Sequence, residues 1–270
     1  MKPAPFAYVR PETLEEALAV LAKNGDEAKV LAGGQSLVPA LNMRLLRPAL
    51  LVDVNRVPGL DSIEEVDGGV RIGATVRQAA MECSPLVRRT VPLAAEALPH
   101  VGHFVTRNRG TVGGTLAHAD ASGELPLVLT ALGGTVVAAS TRGRREIPAD
   151  DFFLGPYTTA LEPDELVVES VWPSAPNGTG FAFEELAQRA GDYALAMVAV
   201  CARGDELRIV VGSVVDRPTL LEVDPESPGE SAAAQVEPWG SIHASPAYLK
   251  QLVRVLVDRA VARAREKTAA

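Results

Sequence analysis

The sequence predicts a soluble globular chain of mixed helices and strands with more than one domain, and three observations predict it. Helical patterns sit near both ends, short apolar strand runs lie between them, and a Pro/Ser/Asn/Gly-rich stretch from Pro173 to Gly180 divides the chain. At 270 residues it has room for one large or two compact domains and for a sizeable core without disulfide staples.

The elements follow in order. Thr13 and Glu16 have capping-box spacing, and Leu14, Ala17, Leu18 and Leu21 recur at helical period until Asn24-Gly25. Lys29 to Ala32 is a buried strand that stops at Gly33-Gly34, and Leu50 to Val54 is another. Val70, Ile72 and Ala74 alternate after the Asp67-Gly68-Gly69 turn, giving a half-buried strand. Ser84 to Leu98 reads as a helix, Val105 to Gly123 as a long functional loop, and Leu125 to Leu132 as a helix. Thr135–Ala139 and Leu166–Val171 are strands, with Arg142, Arg144 and Arg145 on a solvated hairpin tip. Beyond the linker, Ala196–Ala202 and Leu207–Val215 form a hairpin about Gly204-Asp205. Leu221 to Ser241 reads as an exposed connection. A capped helix from Ser245-Pro246 carries Leu249, Leu252, Val253, Leu256, Val257 and Ala260 as its apolar stripe.

Composition excludes several functions. The net charge is −8 and aromatics are 4%, so neither a basic nucleic-acid footprint nor stacking platforms are present. Two cysteines, Cys83 and Cys201, are too few for a four-Cys zinc or iron–sulfur site, and read as reduced, mostly buried thiols. The N-terminus lacks a signal-peptide core, and no apolar run approaches the ~20 residues of a membrane span, which predicts a cytoplasmic protein.

Two glycine loops carry the chemistry: Leu31-Ala32-Gly33-Gly34-Gln35-Ser36-Leu37, and Arg109-Gly110-Thr111-Val112-Gly113-Gly114-Thr115. Adjacent glycines let successive N–H groups point into one concavity and remove the Cβ atoms that keep a phosphate away. Facing each other, such loops can hold the two phosphates of a dinucleotide without a lysine; the bland alternative is two ordinary turns. Neither loop matches G-x-G-x-x-G or the Walker pattern. His100 and His103 have His-x-x-His spacing with no further ligand nearby in sequence. His118-Ala119-Asp120 reads either as a base with an orienting acid or as part of the loop. Arg107 and Arg109 flank the second loop and are candidates for a phosphate or a partner surface.

The stretches LAGGQSLVPALNMRLLRPALLVDVNRV, VTRNRGTVGGTLAHADASGELP, DDFFLGPYTTALEPDELVVESVWP, ELAQRAGDYALAMVAV and SPAYLKQLVRVLVDRAVARA, in that order, resemble the FAD-binding medium subunit of molybdenum hydroxylases, the carbon monoxide dehydrogenase and xanthine dehydrogenase group. The resemblance implies an α+β fold with a two-part FAD-binding domain of the p-cresol methylhydroxylase / vanillyl alcohol oxidase type, residues 1–57 and 58–173, an order of elements with which the patterning above is compatible. A smaller C-terminal α/β domain, 174–270, follows.

It also implies that Ala32 to Leu37 and Gly110 to Thr115 wrap the FAD pyrophosphate through backbone N–H groups, with Leu31 and His118 in the same loops. Thr115 stands where the family often has Asn or Asp. Glu124 stands where Asp commonly accepts from the adenosine ribose. Leu166 and Val167 match positions against the flavin or its ribityl chain. Tyr193 is the candidate ring near the isoalloxazine, with a core aromatic as the other reading. Glu184 occupies a position that is Lys in some relatives, so that contact is not carried over. The implied job is electron relay: an iron–sulfur small subunit and a molybdenum large subunit feed FAD here, in a dimer of heterotrimers. No residue of this chain is expected to be an essential acid, base or nucleophile, and no metal is expected on it. A free-standing FAD oxidoreductase and a flavin-free scaffold are the alternatives.

Overall fold

A computed structural model of the chain describes residues 2–268. It opens with β1 (Ala7–Val9), β2 (Ala28–Leu31) and β3 (Leu50–Asp53), a parallel sheet ordered β1-β3-β2. Parallel neighbours need crossovers, and helices Leu14–Asn24 and Leu37–Asn42 lie in the two connections. The first helix starts where its cap predicts. Thr13 Oγ1 accepts from Glu16 N at 3.2 Å, while the Glu16 carboxylate reaches back to Glu12 N at 2.9 Å. Ala17, Leu18 and Leu21 are its buried face.

The middle of the chain supplies β4 (Ile63–Val66), β5 (Gly69–Gly73), β6 (Thr135–Ser140), β7 (Gly143–Pro148), the short pair β8 (Phe153–Gly155) and β9 (Thr158–Thr159), and β10 (Leu166–Pro173). Five of these form an antiparallel sheet ordered β4-β5-β10-β6-β7. Both faces of its centre are covered, and the two polar residues that interrupt the apolar β10 have partners: Glu169 pairs with Arg71 at 3.3 Å, and Ser170 Oγ accepts from Trp172 Nε1 at 2.8 Å. Val137, Ala139, Leu166 and Val168 join the core beneath helix Leu14–Asn24. Val136, Ala138 and Val167 face the opposite core, with Leu93, Leu116, Leu125 and Leu129.

Several expectations are corrected here. The helix expected over 84–98 is broken into Pro85–Thr90 and Pro92–Ala97, with Val91 at φ −132, ψ 62 between them. Pro92 lacks the N–H that would continue the helix and steers the preceding residue out of helical geometry. The segment 105–123 is not one long loop. It contains helices Phe104–Arg107 and Val112–His118, the second capped by Thr111 Oγ1, which accepts from Gly114 N at 3.2 Å. The arginines at the hairpin are not simply solvated. Arg142 pairs with Asp164, and Arg145 Nε lies 2.7 Å from Glu165, beside the start of β10.

The last third forms β11 (Gly180–Ala187), β12 (Ala194–Arg203), β13 (Glu206–Gly212) and β14 (Thr219–Leu221), antiparallel in that order. One face, with Phe183, Met197, Ala199 and Val210, packs on the middle core. The other, with Val198, Val200, Ile209 and Val211, packs on helix Pro246–Thr268. The stretch 221–241 is not merely an exposed connection. Helix Pro228–Gln235 buries Ala232, and Gly229 N donates to Asp258 Oδ1 of the last helix at 2.9 Å. Cys83 is exposed, against the expectation of burial, because its short helix turns that residue outward; Cys201 is partly buried.

Candidate functional site

The first glycine loop leaves the C-terminal end of β2. Gly34 adopts φ 73, a left-handed conformation that suits glycine. Among the described residues, the N–H groups of Gly33, Gly34, Gln35 and Ser36 donate to no protein acceptor. Four unspent donors in succession form a nest for an anion.

The second loop behaves differently. Gly110 N is spent on Thr106 O at 2.7 Å, Val112 N on Val76 O at 2.9 Å and Gly113 N on Ala74 O at 2.9 Å. Gly114 N is spent on its cap, and Thr115 N on Thr111 O at 3.0 Å. Among the described residues, Thr111 N–H is the one N–H of this loop without a protein acceptor, so the loop offers a close-packed glycine surface rather than a run of free donors. It also offers one hydroxyl. The buried Gln78 donates Nε2 to Thr115 Oγ1 at 2.7 Å, which leaves the Thr115 proton free to be donated elsewhere.

The two loops touch. A Cβ added at Gly33 would collide with Arg109 O and lie 2.8 Å from Gly110 Cα, and one added at Gly114 would lie 3.9 Å from Ala32 Cβ. Segments some 75 positions apart in the chain therefore make one cradle.

Beside the cradle, the His118 ring packs 5.0 Å from Tyr157, whose hydroxyl donates to Asp120 Oδ2 at 3.2 Å. Burial holds the His118 imidazole below the usual histidine range, and Asp120 only partly opposes it. Tyr193 approaches the same carboxylate. It is 67% exposed, so it is not a core aromatic, yet burial of its hydroxyl end and Asp120 push it up to about 12. Glu124 begins helix Glu124–Ala131 and is only 8% exposed; burial pushes its carboxyl up to about 7. Leu166 and Val167 are buried on β10 and point into the two cores on either side of it.

The remaining candidates have local partners. His100 Nδ1 pairs with Glu185 at 2.9 Å, and the His103 ring closes on Gly191. Arg107, 9% exposed, pairs with Glu82 at 2.7 Å and donates to the Pro99, Val101 and Gly102 carbonyls, so it serves the scaffold. Glu184 lies 2.5 Å from Arg263 and 3.6 Å from Arg259 on the last helix. That pairing accounts for an acid at this position. Sequence reasoning missed Asn55, Arg77, Gln78 and Tyr157. Their only sequence signal is the Asp53-x-Asn55 spacing, in which Asn55 N donates to Asp53 Oδ1 at 2.9 Å, a local turn.

A parallel and an antiparallel sheet meeting at a lysine-free cradle of glycine and unpaired N–H groups define an α+β protein with a built set of backbone donors. The chain belongs to the family described as the FAD binding domain in molybdopterin dehydrogenase, which matches residues 4–175. It is 42% identical to the nicotine 6-hydroxylase medium subunit of Paenarthrobacter nicotinovorans, over 99% of this chain and 100% of that one. It is 38% identical to the carbon monoxide dehydrogenase medium chain of Hydrogenophaga pseudoflava, over 97% and 88%. The fold superimposes on a chain of the solved Hydrogenophaga pseudoflava carbon monoxide dehydrogenase with TM-score 0.94, at 34% identity and 99% coverage of both chains. It matches a chain of quinoline 2-oxidoreductase from Pseudomonas putida 86 with TM-score 0.93, at 36% identity and full coverage. The resemblance drawn from the ordered sequence stretches agrees with these matches. Among the described residues, no helix is long and apolar enough to cross a membrane.

Proposed function

We propose that this chain is the FAD-binding electron-transfer subunit of a molybdenum-containing hydroxylase complex. The observation that carries the reading is the run of four unspent N–H groups at Gly33–Ser36, set against a second glycine surface. A diphosphate supplies the acceptors that such donors require, and in an acidic chain without a lysine there the local N–H dipoles are what meets it along the first loop. The residues fit the cofactor. Ala32 to Ser36 would hold the diphosphate through N–H groups and Thr115 would donate its hydroxyl, while Gly110 and Gly113 let the second loop close against Gln78 and Ala74 and Gly114 keeps the side facing Ala32 open. Leu31 and Leu37 frame the first loop. Glu124, buried and easily protonated, would meet a ribose hydroxyl. His118 and Tyr193 would stand on the side of the ring system. Leu166 and Val167 act from beneath, as the packed floor of β10. FAD, when bound, supplies the redox chemistry; the protein supplies orientation and electrostatics.

On this reading residues 1–57 and 58–173 are the two parts of the FAD domain and 174–270 the C-terminal domain, each containing its own sheet. Electrons arrive from iron–sulfur clusters on a small partner subunit, fed by a molybdenum centre on a large one, and leave to an external acceptor. The assembly is a dimer of heterotrimers in the cytoplasm. The relatives' names, a medium subunit and a medium chain, support a multi-subunit setting. The test is direct. The purified protein carries flavin absorbance or acquires it on adding FAD, and Gly34→Asp or Gly114→Asp abolishes it by placing a carboxylate in the cradle. Parent protein that stays colourless in FAD refutes the reading, as does unchanged affinity in both variants. Co-purification with an iron–sulfur and a molybdenum subunit tests the assembly.

A further inference from the structure

Among the described residues, no hydrogen bond joins the two glycine loops directly, although they touch at Gly33. Two side chains span the gap instead. Asn55 Nδ2 donates to Ala32 O of the first loop at 2.9 Å. Asn55 Oδ1 accepts from Arg77 Nη2 at 2.7 Å, and Arg77 Nη1 donates to Arg109 O of the second loop at 2.7 Å. The chain of contacts is therefore Ala32, Asn55, Arg77, Arg109.

Asn55 cannot swing freely. Its backbone N–H and its Nδ2 both donate to Asp53 Oδ1, at 2.9 and 2.7 Å, and Asp53 is fixed in turn by the Tyr8 hydroxyl at 2.5 Å. Arg77 is equally held, because its neighbour Gln78 N donates to Gly110 O at 2.9 Å. The charge is also unusual. Arg77 and Arg109 have no carboxylate within ion-pair distance among the described residues. Burial and the neighbouring Arg109 charge hold Arg77 below the usual arginine range, with Asp53 opposing. Two mutually repelling guanidinium groups, in a chain of net charge −8, thus stand together where Arg77 grips the second loop.

We infer that Asn55 and Arg77 form a positioning clamp that fixes the spacing of the two glycine loops around the diphosphate, with the Arg77 charge as its cationic side. The planar guanidinium suits the task because its two arms serve the amide oxygen and the carbonyl at once, which a lysine cannot reproduce. The inference rests on the cradle being the FAD site.

The test uses the full chain, stripped of flavin and titrated with FAD. Asn55→Ala and Arg77→Ala should each weaken FAD binding about tenfold, the weight of one charge-assisted hydrogen bond. The double variant should bind no worse than the weaker single, since either change opens the clamp. Arg77→Lys should recover little. The flavin-free melting temperature should stay near that of the parent, which separates positioning from general stability. Parent protein that fails to bind FAD sinks the cofactor reading itself. If the parent binds, any of four results overturns the clamp alone: unchanged affinity in the singles, additive losses in the double, full rescue by lysine, or destabilisation that accounts for the loss.

Discussion

Replacing Gly33 by alanine is the sharpest test of the cradle geometry. Gly33 does not need a left-handed conformation, so the cost is purely steric. The added methyl would overlap Arg109 O, with Gly110 Cα at 2.8 Å and Arg109 C at 3.1 Å. Relaxed carbon–carbon contacts lie near 3.5–4.0 Å, so the loops must part by about 1 Å. All the opposing atoms are backbone, which cannot rotate away as a side chain would. Overpacking of this kind costs roughly 1–3 kcal/mol. Charged to the spacing of the two loops, that lowers FAD affinity about 5- to 150-fold. Gly34→Ala is the informative comparison. There the new methyl meets only Val38 Cγ2 at 3.2 Å and Leu31 Cδ1 at 3.3 Å, but φ is 73. Its penalty is conformational, about 1–2 kcal/mol, or roughly tenfold. The assay is quenching of flavin fluorescence as FAD is added to flavin-free protein, with a denaturant midpoint measured alongside. Parent-like affinity in Gly33→Ala would mean that the loops do not close on the diphosphate together.

Three further outcomes follow from the scaffold. Glu124 has its carboxyl raised from 4.5 to about 7, mainly by burial, so the folded state binds a proton that the unfolded chain releases. Its favourable effect is complete below pH 4.5 and is lost as pH rises through about 7, a swing of roughly 3 kcal/mol. Glu124→Gln should therefore melt close to the parent at pH 4.5 and above it at pH 8; equal midpoints at both would contradict the burial argument. Arg107→Met strands Glu82 and three carbonyls, and should lower stability by about 3–5 kcal/mol in urea denaturation. Cys83 is exposed, whereas burial pushes Cys201 up to about 12. A thiol-reactive dye should therefore label one equivalent quickly and the second only on unfolding, and Cys83→Ser should remove the fast phase.

Much of the fold was legible because it is local. The Thr13 cap, the Gly204 turn and the stripe of the last helix each depend on neighbours a few positions away, where capping and periodicity act. What escaped depends on distant chain. β4, Ile63–Val66, carries Glu64 and Glu65 and lies at a sheet edge, so its strand character comes from pairing with β5 rather than from an apolar pattern. The helix Pro228–Gln235 is too weakly apolar to announce itself and gains order by docking on Asp258.

The candidate site divides the same way. The sequence alone determined that two glycine loops exist and that their composition suits a phosphate, because the absence of Cβ is a property of the residue. Only the tertiary structure decided that the first loop keeps its donors while the second spends them on Ala74, Val76 and Thr106. It also decided that Asn55 and Arg77 join the loops, since a hydrogen bond between residues 22 positions apart is set by how two sheets pack and leaves no periodic trace.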